Sequence, residues 1–278
     1  MSETLLIIDG DNLTHRAYHS TPKTVTGESG VPVNAVVGFF NMLSNIWQKE
    51  GRPRVFVAWD TLGIDTYRSK LWPQYQGGRV FEREILQQLD LLPTLCEAFD
   101  FGVGKQAGYE ADDLMASAAR AQTEAGGASL VLTTDKDAYQ LVSDLVTILN
   151  PKRGTRELER IGPHEVVAKF GVLPEQVPDF KALAGDASDK IPGIKGIGPV
   201  AAARLLLRHG SLEGVIETWG EGRPDAERAL MFREVARMRD NLAVTLPAGA
   251  PDWRAGAAAV RLAGAAGLAD RLEALASA

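Results

Sequence analysis

Acidic side chains carry the clearest chemistry in this 278-residue chain. Asp9 and Asp60 each follow a short apolar run. Glu110-Ala111-Asp112-Asp113 puts three carboxylates into four positions, Asp135 and Asp137 flank Lys136, and Asp186 and Asp189 follow Gly185 at i, i+3 spacing. Brought together, these nine acids would repel and raise one another's pKa unless cations held them. Oxygen ligands without His or Cys favour hard ions, Mg²⁺ or Mn²⁺, over zinc. Two such ions about 3.5–4 Å apart are a known device for in-line phosphodiester cleavage. The chemistry expected is therefore metal-dependent phosphoryl transfer. Four histidines and no Ser/His/Asp spacing leave nucleophilic hydrolysis without support. The single cysteine, Cys96, lies among Leu92, Leu95 and Phe99 and reads as a buried structural thiol, which excludes internal disulfides and thiolate clusters.

Each cluster alone has a simpler reading. Acids at a helix start complement the dipole and cap free N–H groups. Asp186 and Asp189 read equally well as a cap. Number and convergence favour the metal reading, and convergence depends on the elements. Three β-type runs end on an aspartate: Leu5–Ile8 before Asp9, Val55–Trp59 before Asp60, and Leu130–Thr134 before Asp135. Between them lie helical patterns over Val33–Lys49, over Ile85 to Phe99 broken by Pro93, and over Ala111–Ala125. Strands alternating with helices imply βαβ units and a mostly parallel sheet flanked by helices, an α/β fold. Ligands bind at the carboxyl ends of such strands, where the three aspartates converge.

From Gly162 the texture changes to short helices over 165–170, 177–183, 200–209 and 212–219, separated by Gly and Pro. Beyond Thr245 the chain is rich in Ala and Gly and ends in a weakly amphipathic stretch over 262–275, expected to be peripheral. The expected organisation is an α/β core over 1–160, a helical module over 161–250 and an Ala-rich tail over 251–278 packing on the core. The N-terminus lacks a basic region and a long apolar run, so neither a secretion signal nor a membrane span is expected. Net charge is −6, which argues against a nucleic-acid partner. Setting aside the nine clustered acids leaves +3 on the remainder, so global charge does not decide the matter.

These residues resemble the 5′ nuclease family, which includes flap endonucleases and the N-terminal domain of bacterial DNA polymerase I. The motifs run in order: Ile8-Asp9-Gly10, Ala58-Trp59-Asp60, the 108–113 run Gly-Tyr-Glu-Ala-Asp-Asp, the 134–137 run Thr-Asp-Lys-Asp, the 185–193 run Gly-Asp-Ala-Ser-Asp-Lys-Ile-Pro-Gly, and the 195–199 run Lys-Gly-Ile-Gly-Pro. Together they reach from Leu5 to about Pro247. With no room for a polymerase, the resemblance implies a free-standing member. It implies one metal near Asp9, Asp60, Glu110 and Asp112, a second near Asp113, Asp135, Asp137, Asp186 and Asp189, and Arg16 near the scissile phosphate.

The resemblance further implies a helix-three-turn-helix over about 178–209 that holds duplex phosphates through Lys195, Arg204 and Arg208. A K⁺ ion is expected on the backbone of Gly193, Gly196 and Gly198, and Pro199 begins the second helix. Alone, this run also reads as an ordinary Gly-rich connection. Tyr67, Arg68, Tyr75, Gln76 and Arg79 match a helical arch over about 66–92 that admits a single-stranded 5′ end, on a segment expected to be mobile. Here Gln76 replaces the family's usual lysine, Val80-Phe81-Glu82-Arg83-Glu84 replaces a proline-containing stretch, and His15 stands where relatives commonly carry tyrosine. The implied enzyme is a monomeric, cytoplasmic, nucleoid-associated bacterial 5′–3′ exonuclease and flap endonuclease, acting on DNA in replication and repair beside a polymerase and a ligase. Two alternatives stand beside it: a PIN-type RNA-directed nuclease, which typically lacks the 186–208 module, and a catalytically silent binder of branched DNA, which the retained acids disfavour.

Overall fold

The computed structural model describes residues 4–27, 30–75, 82–153, 155, 157–219 and 224–277. Six strands form one sheet: β1 (Leu5–Asp9), β2 (Arg54–Trp59), β3 (Gly102–Lys105), β4 (Ser129–Leu132), β5 (Val146–Arg153) and β6 (Glu157–Ile161). Their order is β3-β2-β1-β4-β5-β6, parallel throughout except for the β5–β6 pair. The mostly parallel α/β sheet expected from the sequence is thus present. The β1 strand is buried along its whole length, as a strand covered on both faces must be. Register sets the functional edge. Asp9 pairs with Ala58 and Ile8 with Leu132, so the chain leaves β1, β2 and β4 side by side at their carboxyl ends.

Helices α1 (Gly10–Ser20), α2 (Asn34–Lys49), α3 (Tyr67–Leu71), α4 (Arg83–Ala98) and α5 (Ala111–Glu124) flank the sheet. They are followed by α6 (Pro163–Phe170), α7 (Val177–Ala184), α8 (Pro199–His209), α9 (Leu212–Glu217), α10 (Pro224–Ala236), α11 (Trp253–Leu262) and α12 (Ala266–Glu273). Two apolar clusters form the core. One joins the β1, β2, β4 and β5 face to α5 and continues through α7, α8 and α10; the other packs α1, α2, α4, α11 and α12 on the opposite face.

Two expectations need correction. The α4 helix runs unbroken through Pro93. An interior proline costs about 3 kcal/mol, but Leu89, Leu92, Leu95 and Cys96 are buried around it, and that packing outweighs the lost backbone bond. The C-terminal segment is not peripheral. Trp253 is buried against Trp47 and Phe99, with ring centroids 4.7 and 5.4 Å away, and Val260, Leu268 and Leu272 are buried in the same cluster. Gly256 lies flat against the Phe99 ring, where a Cβ would come within 2.1 Å. Among the described residues, no helix is long and apolar enough to cross a membrane.

Candidate active site

Loops leaving the carboxyl ends of β1, β2 and β4, the start of α5 and the loop after α7 bring the acids to one edge. Asp9 ends β1 and caps α1: its Oδ1 accepts from the Asn12 N–H at 3.0 Å, and its Oδ2 accepts from the Thr133 hydroxyl at 2.8 Å. Asp60 follows β2, and its Oδ1 accepts from the Ala111 N–H at 2.7 Å, tying the β2 end to the first turn of α5. Asp135 lies beyond β4, its amide donating to Thr133 Oγ1 and its Oδ1 accepting from the Asp137 N–H at 2.8 Å. Local turn chemistry, a capping aspartate and a threonine hydroxyl, therefore aims each carboxylate.

The electrostatics register their crowding. Burial, together with the Asp60 and Asp135 charges, pushes Asp9 up to about 7 against two opposing hydrogen bonds. Glu110 rises to about 7, again chiefly through burial and despite Arg68. Asp112 rises well above the carboxylate range through burial and the charges of Asp135 and Asp9. Buried carboxylates that raise one another in this way are what a hard divalent ion relieves. A second group forms beside them: oxygens of Asp137, Asp186 and Asp189 lie within 4.8 Å of one another. The oxygens of Asp137, Asp186 and Asp189 form a donor set that suits a hard cation.

Three residues are not where the sequence reading put them. Asp113, expected beside the second metal, is fully buried and turned away. Its two oxygens accept from Arg68 Nη1 and Nη2 at 2.7 Å each and from the Arg239 N–H at 2.7 Å, and it completes a capping box with Glu110. Those bonds saturate it and leave no lone pair facing the cluster. Arg68, expected to face DNA from a mobile segment, is 2% exposed, pairing with Asp113 and at 3.0 Å with Glu110. Tyr75 is buried too, its hydroxyl donating to Glu110 at 2.9 Å. Tyr67 bonds the Arg237 carbonyl at 2.8 Å, and Trp72 donates to the Lys190 carbonyl at 3.0 Å. The 67–75 stretch is therefore an anchored brace behind Glu110. Gln76 and Arg79 lie outside the described residues.

Other expected positions are surface ones. Arg16 on α1 donates to the Pro151 carbonyl at 2.9 Å. Lys195, Arg204 and Arg208 are exposed at the turn and outer face of α8. Gly193 and Gly196 take positive φ of 68° and 88°, and Gly193 abuts Gly185 so closely that a Cβ would lie 2.4 Å from the Gly185 nitrogen. This contact folds the 185–193 turn back on α7 and sets Asp186 and Asp189 beside Asp137.

Two further charged groups join the site. Asp11 accepts from the Asp60 N–H at 2.7 Å, and burial and the Asp60 charge push its carboxyl well above the usual range. Its position two residues after Asp9 was the available signal. Lys181, buried on α7, pairs with Asp137 and, at 2.5 Å, with Asp186. A lysine five residues before an aspartate is not a helical contact spacing, so the sequence carried no sign of it.

Residues 4–171 match the family model described as 5′-3′ exonuclease, N-terminal resolvase-like domain, and residues 172–255 match its C-terminal SAM fold. DNA polymerase I of Mycobacterium tuberculosis (strain ATCC 25618 / H37Rv) is 39% identical over 216 residues, covering 77% of this chain and 24% of that protein. DNA polymerase I of Bacillus caldotenax is 36% identical over 257 residues, covering 88% and 29%. The chain thus spans about a quarter of the length of these relatives. Among solved structures, the zinc-bound T5 5′-exonuclease superposes with a TM-score of 0.68 at 19% identity over 97% of both chains. Flap endonuclease-1 from Methanococcus jannaschii does so with 0.61 at 16% identity, covering 99% of this chain and 93% of that one. These two likenesses are of fold.

Proposed function

Because this chain belongs to the 5′-3′ exonuclease family, we propose that it is a structure-specific 5′ nuclease, hydrolysing DNA phosphodiesters at 5′ ends, flaps and junctions. The observation that carries the reading is the pair of adjacent carboxylate groups at one sheet edge, the first with raised pKa values. Asp9, Asp60, Glu110 and Asp112 would hold one ion, and Asp135, Asp137, Asp186 and Asp189 the other, with Mg²⁺ or Mn²⁺ as the working species. When bound, such ions make water a stronger acid and offset charge on a phosphate.

The chain's own residues supply position. Thr133 and the α1 amide fix Asp9, the α5 amide fixes Asp60, and Tyr75 and Arg68 hold Glu110 from behind. Arg16 offers a cation from α1, where it donates to the Pro151 carbonyl. In this reading Lys195, Arg204 and Arg208 track duplex phosphates, and the Gly193–Gly198 backbone carries K⁺ through carbonyl oxygens. The core over 1–160, the helical module over 161–250 and the tail over 251–278 work as one monomer, alongside a polymerase and a ligase in the cytoplasm.

The test is a 5′-flap substrate labelled at each end and incubated with Mg²⁺, Mn²⁺ or EDTA. Cleavage near the junction with either ion, and none in EDTA, is expected. Full activity in EDTA would overturn the reading.

A further inference from the structure

The two carboxylate groups differ in one respect that their acids do not explain. In the first, the Arg68 guanidinium reaches Glu110 at 3.0 Å but is chiefly bound to Asp113. The second contains a lysine. Lys181 is 4% exposed, and its ammonium bonds both Asp137 and Asp186. These are two of the three acids whose oxygens lie within 4.8 Å of one another. A cavity of about 490 Å³ opens over the same place, lined by Asp135, Asp137, Lys181 and Asp186. Lys136, Lys190 and Lys195, by contrast, are exposed.

An ammonium ion and a divalent cation seek the same carboxylate oxygens. We propose that Lys181 is a tethered counter-cation that competes with a divalent ion for the Asp137–Asp186–Asp189 group and so sets the affinity of that site. The two groups then load unequally. The first binds its ion more tightly, since the ion relieves the crowding of Asp9, Glu110 and Asp112. The second binds more weakly, because the ammonium must leave Asp137 and Asp186 before an ion takes its place. Lys181 is in this sense a positioning and specificity-determining residue, and the inference rests on the metal-dependent reading above.

Equilibrium Mn²⁺ binding to the DNA-free full chain tests it, by counting free Mn²⁺ with electron paramagnetic resonance. The expected wild-type isotherm has two classes of site. In Lys181→Met and Lys181→Gln the weaker class should tighten by about tenfold or more, because a unit charge next to the ion has gone, while the tighter class stays put. Lys181→Gln keeps a hydrogen-bond donor for Asp137, so it guards against a variant that fails through an unpaired buried acid. Asp186→Asn should abolish the weaker class. A weaker class unmoved or lost in a folded Lys181→Gln would overturn the inference alone, leaving the nuclease reading intact. Absence of any Mn²⁺ binding by the wild type would overturn both.

Discussion

Raising the pH of the metal-free protein should destabilise it, against the usual behaviour of buried acids that are salt-bridged. Asp9 titrates near 3.8 in an unfolded chain and at about 7 in the folded one. Between those values the folded state keeps a proton that the unfolded chain has released. Stability is therefore full below the lower value and falls as pH rises through the upper one. Each unit of difference is worth 1.36 kcal/mol, so going from about pH 5 to about pH 7, where the folded carboxyl is half ionised, costs about 2 kcal/mol through Asp9 alone. Glu110, raised from 4.5 to about 7, acts in the same direction. The two losses do not simply add, because each new charge opposes the next. Adding Mg²⁺ or Mn²⁺ at about pH 8 should reverse the loss by binding the ionised form preferentially. Urea unfolding in EDTA across this window, for the wild type and Asp9→Asn, isolates the Asp9 contribution as a difference in slope. Curves for the two proteins that stay parallel from pH 5 to 8 would refute the placement of Asp9 in a crowded, buried cluster.

Three further outcomes are expected. Arg68→Met leaves Asp113 buried and unpaired, and should cost about 3–5 kcal/mol in urea unfolding, as breaking a buried ion pair does; a loss below about 1 kcal/mol would mean the 67–75 brace is peripheral. Trp253→Ala removes the ring wedged between Trp47 and Phe99, and should lower stability by about 3–5 kcal/mol by the same measurement. Lys195→Ala and Arg204→Ala should weaken flap binding in Ca²⁺ across all sequences and reduce the salt dependence by about one phosphate contact each; unchanged affinity in both would remove this face from the DNA path.

Much of the fold and of the metal-binding edge could be read from the chain because it rests on local rules. A buried parallel strand must be an apolar run, and the residue after it must turn, so Leu5–Ile8 and Val55–Trp59 announced both the sheet and the place of Asp9 and Asp60. The β4 strand proved shorter than its run, ending at Leu132, and the Thr133 hydroxyl just beyond it donates to Asp9. Strands β3, β5 and β6 went unread. The first has four residues with two glycines, and the β5–β6 pair carries Pro151 and alternating charges, so neither shows a strand's apolar period.

What the chain could not disclose are contacts between residues far apart in sequence. Asp112 and Asp113 are adjacent and chemically identical. Only the 100° step between them on α5 and the arrival of Arg68 from α3 send one to the acidic edge and bury the other in an ion pair. Lys181 reads as a surface lysine until the Gly185–Gly193 contact folds Asp186 back over α7. The last two helices gain a purpose only when Phe99 and Trp47 offer Trp253 a surface. Strand and turn propensities act over a few residues, so a sequence displays them. The partner of a buried charge is chosen by how distant elements pack, because burial makes an unpaired charge too costly to leave, and that choice exists only in the folded chain.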